Sequence, residues 1–235
     1  AHLFEHMMFQ GAKHVPADAH FQLLEGAGAS DINGTTDFDR TNYFETLPAN
    51  RIELALWLEA DRMGYLLDVL DQASLTNQQD VVRNERRQGV ENQPYGIVQE
   101  ELFHLVYPKG HPYYASVIGS HADIQAAKLE DVKSFFEAFY RPNNAILAVA
   151  GDVRAAEVFE RAETFFGAIP AGVLPPRPDL REPMRDAAAI LVKEAPLART
   201  PALAMAWRMP GRTHEDAVPL LVLGELFHNG RASRL

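Results

Sequence analysis

The stretch His2-Leu3-Phe4-Glu5-His6 decides how the rest of the chain is read. It has the form His-x-x-Glu-His, the zinc-peptidase spacing in inverted order. On a helix, positions i and i+4 lie one turn apart on one face, so the imidazoles of His2 and His6 can converge on a single ion. Glu5 then sits beside that ion, close enough to handle a bound water without being a ligand itself. Leu3, Phe4, Met7, Met8 and Phe9 surround the motif with apolar side chains, which predicts a buried helix. Polar groups on a buried helix need partners, because an unpaired one costs several kcal/mol. A catalytic zinc takes three protein ligands and leaves a fourth position for water. The third ligand must come from elsewhere in the chain.

Glu85 is the candidate. It lies in Asp80-Val81-Val82-Arg83-Asn84-Glu85-Arg86-Arg87, inside a helical pattern running from about Leu75 to Glu91. Val81, Val82 and Glu85 are predicted to share one face, with Arg83, Arg86 and Arg87 pointing elsewhere as a solvated or salt-bridged face. A carboxylate on an apolar stripe asks for a cation, and a neighbouring arginine would serve as well as a metal.

Further segments carry a resemblance. Ala1 to Phe9 with Glu85, then Asn92-Gln93-Pro94-Tyr95-Gly96, Gly110-His111-Pro112-Tyr113, and Tyr140-Arg141-Pro142-Asn143-Asn144 followed by Gly151-Asp152, together resemble the pitrilysin or insulinase family of zinc peptidases. The likeness is greatest to bacterial and mitochondrial-processing-peptidase-like members and covers essentially the whole chain. It implies one Zn2+ per chain held by His2, His6 and Glu85, with Glu5 as general base in peptide-bond hydrolysis. It also implies that the strand containing Asn33, Gly34 and Thr35 holds a peptide substrate by its backbone, an added strand on a sheet edge. Gly34 stands where the family commonly has Ala. Gln78 stands where the family usually has a Glu seven residues before the metal-binding one, and so keeps hydrogen bonding at the site but not the charge.

The resemblance implies an α+β fold, an antiparallel or mixed sheet with helices packed on one side. It divides the chain into a zinc-binding catalytic half-domain over 1–168, a proline-rich linker over 169–184, and the start of a second, non-catalytic half-domain over 185–235. The chain begins inside the motif and stops soon after Gly230-Arg231, so it is read as a fragment truncated at both ends. In the family, Arg and Tyr side chains of a second homologous domain or partner subunit help enclose the site. The isolated chain is therefore expected to be weakly active or inactive. The family also contains inactive partner subunits that bind substrate or serve in assembly, which is the alternative reading. Bacterial relatives are often exported, which points to a periplasmic or secreted setting.

Composition sets outer bounds. The chain has 235 residues, is 47% hydrophobic and contains no cysteine. That supports one or two packed units and excludes disulfides and thiolate metal sites. A net charge of −10 argues against a nucleic-acid surface. No apolar run approaches the roughly 18 residues of a membrane span.

Local patterns predict helices at the motif as far as Gly11, at Pro16 to Gly26, and at 50–69, 73–91, 95–106, 129–140, 155–168 and 214–228. Strands are predicted at Ile32 to Thr36, through Leu47, at Ala145 to Ala150, at Ala189 to Val192 and at Ala202 to Trp207.

Overall fold

The computed structural model describes residues 1–181, 187–231 and 233–234. Pro183 in the proline-rich stretch, with the rest of 182–186, lies outside the described residues, as do 232 and 235.

The motif helix α1 spans His2–Met7. It is shorter than expected because Gly11, at φ 98°, reverses the chain into a bridge between Ala12 and Val15. A Cβ at Gly11 would lie 2.8 Å from the Val15 carbonyl oxygen, so the turn needs glycine for space as well as for dihedral angle. The next helix, α2, covers Ala19–Gly26. Strands β1 (Ser30–Thr36) and β2 (Thr41–Thr46) then form an antiparallel hairpin, with Thr36 opposite Thr41, Gly34 opposite Tyr43 and Asn33 opposite Phe44. Both strands carry the β-branched and aromatic residues that suit a pleated surface.

Helices α3 (Ile52–Tyr65), α4 (Gln72–Arg86), α5 (Val98–Val106), α6 (His121–Ala126), α7 (Leu129–Phe139) and α8 (Ala155–Phe166) follow, and α9 (Ala217–His228) lies beyond the proline-rich stretch. Asp71 caps α4 by accepting from the Ser74 backbone N–H at 2.8 Å. After Arg86 the helix opens into a π turn, Arg87–Glu91.

Two cores hold these elements. One gathers Phe4, Met7 and Met8 of the motif segment with Leu66, Leu75, Val132 and Phe136. The other joins Val15, Leu24 and Leu58. The first fixes the site, because it packs α1 onto α4 and α7. Phe4 lies with its ring 4.5 Å from that of Tyr140 and 5.2 Å from that of Phe135, separations typical of favourable aromatic pairs.

Two expectations are corrected. The sheet among the described residues has two strands, β1 and β2. The stretches 145–150, 189–192 and 202–207 carry no ladder hydrogen bonds, and Ile146 and Val192 are 96% and 90% exposed. Branched side chains favour an extended backbone, but a strand exists only where a neighbour completes the ladder. On α4, the buried stripe runs through Leu75, Gln78, Gln79, Val82 and Arg86, leaving Val81 and Glu85 at its exposed flank. Arg86, placed on a solvated or salt-bridged face, is salt-bridged but also buried, at 8% exposed. It donates to the Gly119 carbonyl at 2.9 Å and pairs with Glu91 and Glu100 at 3.3 and 3.0 Å, and these acceptors offset the cost of its burial.

Candidate metal centre

Helix α1 places His2 and His6 one turn apart, their ring centroids separated by 4.8 Å. Helix α4, packed against α1 through Leu75 and Met7, brings Glu85 to the same point. One ligand atom from each of His2, His6 and Glu85 lies within 4.8 Å of the other two. Glu85 Oε1 is 3.7 Å from His2 Nε2, and its Oε2 is 3.4 Å from His6 Nε2. Three residues from two distant parts of the chain thus turn two imidazole nitrogens and a carboxylate toward one point.

The surroundings prepare the donors. Gln78, two turns before Glu85 on α4, sets its amide oxygen 3.2 Å from His6 Nδ1. An amide oxygen only accepts, so in the neutral ring Nδ1 holds the hydrogen and Nε2 presents its lone pair. His2 Nδ1 is buried and has no hydrogen-bond partner among the described residues. Burial, followed by the neighbouring His6, lowers the His2 pKa from its ordinary value, with Glu5 opposing. The neutral ring that a metal requires is therefore the favoured form of His2.

Glu5 meets the hairpin through its carboxylate and is 7% exposed. Its Oε2 accepts a hydrogen bond from the Thr36 hydroxyl at 2.5 Å, and Thr36 Oγ1 stands 3.1 Å from Thr41 Oγ1 on the paired strand. Gly34 is buried against the same carboxylate, where a Cβ would lie 3.1 Å from both Glu5 Cγ and Oε1. Beneath this layer, Tyr43 and Tyr140 share a hydroxyl–hydroxyl hydrogen bond of 2.6 Å. The Arg62 guanidinium is packed between the rings of Phe9 and Tyr43 at 5.0 and 4.4 Å.

Of the residues singled out from sequence, the structure brings together His2, His6, Glu85, Glu5 and Gln78, with Gly34 against Glu5. Asn33 and Thr35 are exposed on the opposite face of β1. The Asn33 side chain accepts from the Gly34 N–H at 2.8 Å, and the Thr35 hydroxyl donates to Asn42. Sequence reasoning places Thr36 in the substrate strand but gives it no contact with Glu5, although that signal is present. Strand residues alternate in direction, so any residue sharing a face with Gly34 two positions away faces Glu5 as well.

The family described as insulinase (peptidase family M16) matches residues 1–117, and its companion, the peptidase M16 inactive domain, matches residues 126–235. A zinc protease of Helicobacter pylori, PqqE, is 32% identical over all of this chain, which covers 52% of that relative. The chain thus spans about half the length of this curated relative. A probable mitochondrial-processing peptidase subunit beta of Schizosaccharomyces pombe is 26% identical over 71% of the chain and 35% of its own length. Among solved structures, a protease from Helicobacter pylori superposes with a TM-score of 0.84 at 30% identity, over 99% of this chain and 56% of that one. The periplasmic protease PqqL from Escherichia coli shares the fold at a TM-score of 0.68 and 20% identity, over 77% of this chain and 20% of its own.

Proposed function

Because the chain belongs to the insulinase family of peptidases, family M16, we propose that it carries the metal-binding and proton-transfer part of a zinc-dependent endopeptidase. The observation that carries this reading is the convergence of His2, His6 and Glu85, with Glu5 on the same helix and outside the ligand set, one of its oxygens held by Thr36. Zinc fits this donor set, and when bound it supplies Lewis acidity and lowers the pKa of a coordinated water to about 7. His2 and His6 would hold it through Nε2 and Glu85 through its carboxylate. Gln78 fixes the ring of His6. Glu5 serves as general base, taking a proton from the attacking water and returning it to the leaving amine. Substrate would be a peptide or an unfolded segment lying along β1 at Asn33, Gly34 and Thr35.

Residues 1–168 form the catalytic half-domain in this reading, 169–184 the connection and 185–235 the beginning of a second half-domain. A second homologous domain or a partner subunit completes the enclosure of the site. A periplasmic or secreted location agrees with PqqL of Escherichia coli, a periplasmic protease of the same fold. Among the described residues, no helix is long and apolar enough to cross a membrane.

The test is zinc content of the purified chain by elemental analysis, beside His6→Ala and Glu85→Ala. One zinc per chain, lost in both variants, is the expected result. A folded wild-type chain without zinc sinks it. The alternative, an inactive partner subunit, draws on Gln78, which supplies no charge where the family has a carboxylate. Glu5→Gln separates the two: it abolishes hydrolysis by an enzyme and leaves the substrate binding of a partner subunit unchanged.

A further inference from the structure

We propose that Thr36 is a positioning residue that holds the carboxylate of Glu5 in one orientation, with Thr41 fixing the direction of the Thr36 hydroxyl. The inference rests on the reading of Glu5 as general base, and reaches a part of the chain that the histidine motif does not include.

Donors and acceptors decide the geometry. Among the described residues the Thr36 hydroxyl is the one hydrogen-bond partner of the Glu5 carboxylate, 2.5 Å from Oε2. An ionised carboxylate only accepts, so the single hydrogen of Thr36 must point at Glu5. Thr41 Oγ1, 3.1 Å from Thr36 Oγ1, is then left as the donor in that pair. Thr41 lies directly opposite Thr36 in the register of the hairpin, so the pair is set by backbone pairing and not by a free side-chain choice. The chain of hydroxyls thereby has one direction, from Thr41 through Thr36 to Glu5.

The other oxygen is treated differently. Glu5 Oε1 lies against Gly34, where an added Cβ would sit 3.1 Å away, and no donor reaches it among the described residues. Gly34 and Thr36 are two residues apart on one strand and so present the same face. One face of β1 therefore occupies Oε2 with a donor and leaves Oε1 without one. A base that takes a proton from water needs one unoccupied oxygen in a fixed place, and a misplacement of about 1 Å can cost about 100-fold in rate. Glu5 is nearly buried, so alternative partners in bulk water are few.

Thr36→Val removes the hydroxyl at nearly constant shape, and Thr36→Ser keeps it. Each variant is to be crystallised beside the wild-type chain, with zinc content and thermal midpoint recorded. In Thr36→Val the Glu5 carboxylate is expected to leave its wild-type position while zinc per chain stays the same, and in Thr36→Ser it stays in place. If the wild-type chain hydrolyses peptides, Thr36→Val lowers kcat by about 10- to 100-fold with KM unchanged, and Ser restores it. An unmoved Glu5 in Thr36→Val, an unaltered kcat, or a Ser variant as defective as Val each overturns the proposal. Should Thr36→Val fail to fold, Thr41→Val gives the same reading, because it removes the donor behind Thr36 and leaves β1 intact. A wild-type chain that binds zinc and hydrolyses nothing counts against the peptidase reading alone, since the position of Glu5 still decides the role of Thr36.

Discussion

Gln78 shows how one side chain can matter to a metal it does not touch. Its oxygen holds the Nδ1–H of His6, and so sets both the tautomer and the ring angle of a proposed ligand. Gln78→Ala is expected to weaken zinc affinity by about 10- to 100-fold, measured by competition with a chelating dye. An affinity equal to wild type would mean that the packing of α1 alone orients His6.

Two titratable groups around Arg62, the buried His20 and the half-buried Glu45, set opposite pH trends in stability. Burial, then the Arg62 charge, pushes His20 down to about 3 from an ordinary 6.5. The folded chain thus refuses a proton that the unfolded chain accepts. The contribution of His20 is full above pH 6.5 and is lost as pH falls toward 3. Glu45 is the reverse: burial and the neighbouring Glu59 raise it to about 7 from 4.5. Its contribution is full below pH 4.5 and is lost as pH rises toward 7. Relative to wild type, His20→Gln should gain stability progressively below pH 6.5, and Glu45→Gln should gain it between pH 4.5 and 7. Denaturant midpoints across pH 3.5 to 7.5 check both, and parallel curves for wild type and variants would refute the assignments.

At the scale of elements, α4 determines whether Glu85 reaches the histidines. Leu75 and Val82 are fully buried on its inner face. Gln79 donates from its amide to the carbonyls of Ile124 and Ala127, at 2.7 and 2.9 Å, where α6 ends. Leu75→Ala is expected to cost about 2–5 kcal/mol from lost burial and the cavity left behind. Gln79→Leu should cost about 1–3 kcal/mol, because two end-of-helix carbonyls lose their donor. Both are read by denaturant unfolding, and a loss below 0.5 kcal/mol in either, about the level of a surface substitution, would deny α4 this anchoring.

Much of this is legible in the sequence and some is not, for reasons that differ by residue. The motif helix and the hairpin are readable because helical and strand periods fix which side chains share a face, whereas Glu85 lies at the exposed flank of α4 and not on the apolar stripe with Val82. The burial of Arg86 is not readable because its acceptors, Gly119, Glu91 and Glu100, depend on how the π turn and the segment after α5 come back onto α4, which no local pattern encodes. The contact of Thr36 with Glu5 escapes notice because the substrate reading concerns the exposed face of β1, whereas Glu5 meets the buried one.

Over the whole molecule, the same contrast separates the two cores, which are closed, from the extended stretches beyond α7, which are open. Within 1–140 the apolar side chains of α1, α4 and α7 meet one another. Beyond that, Ile146, Ile190, Val192, Leu203 and Trp207 carry strand-forming side chains that face solvent. Patches of this kind on a folded chain mark surfaces that other elements or molecules cover. Trp207, 65% exposed, reports on this directly, because the chain has only one other tryptophan, Trp57, and that one packs against the second core. In Trp57→Phe, emission comes from Trp207 alone. It is expected to have the long wavelength of a hydrated indole, with acrylamide quenching close to that of a free peptide and unchanged by dilution. Blue-shifted emission with weak quenching would show the 202–207 stretch covered in solution. A return to the hydrated spectrum on dilution would then identify the cover as another copy of the chain, whereas a concentration-independent blue shift would place it within the same molecule.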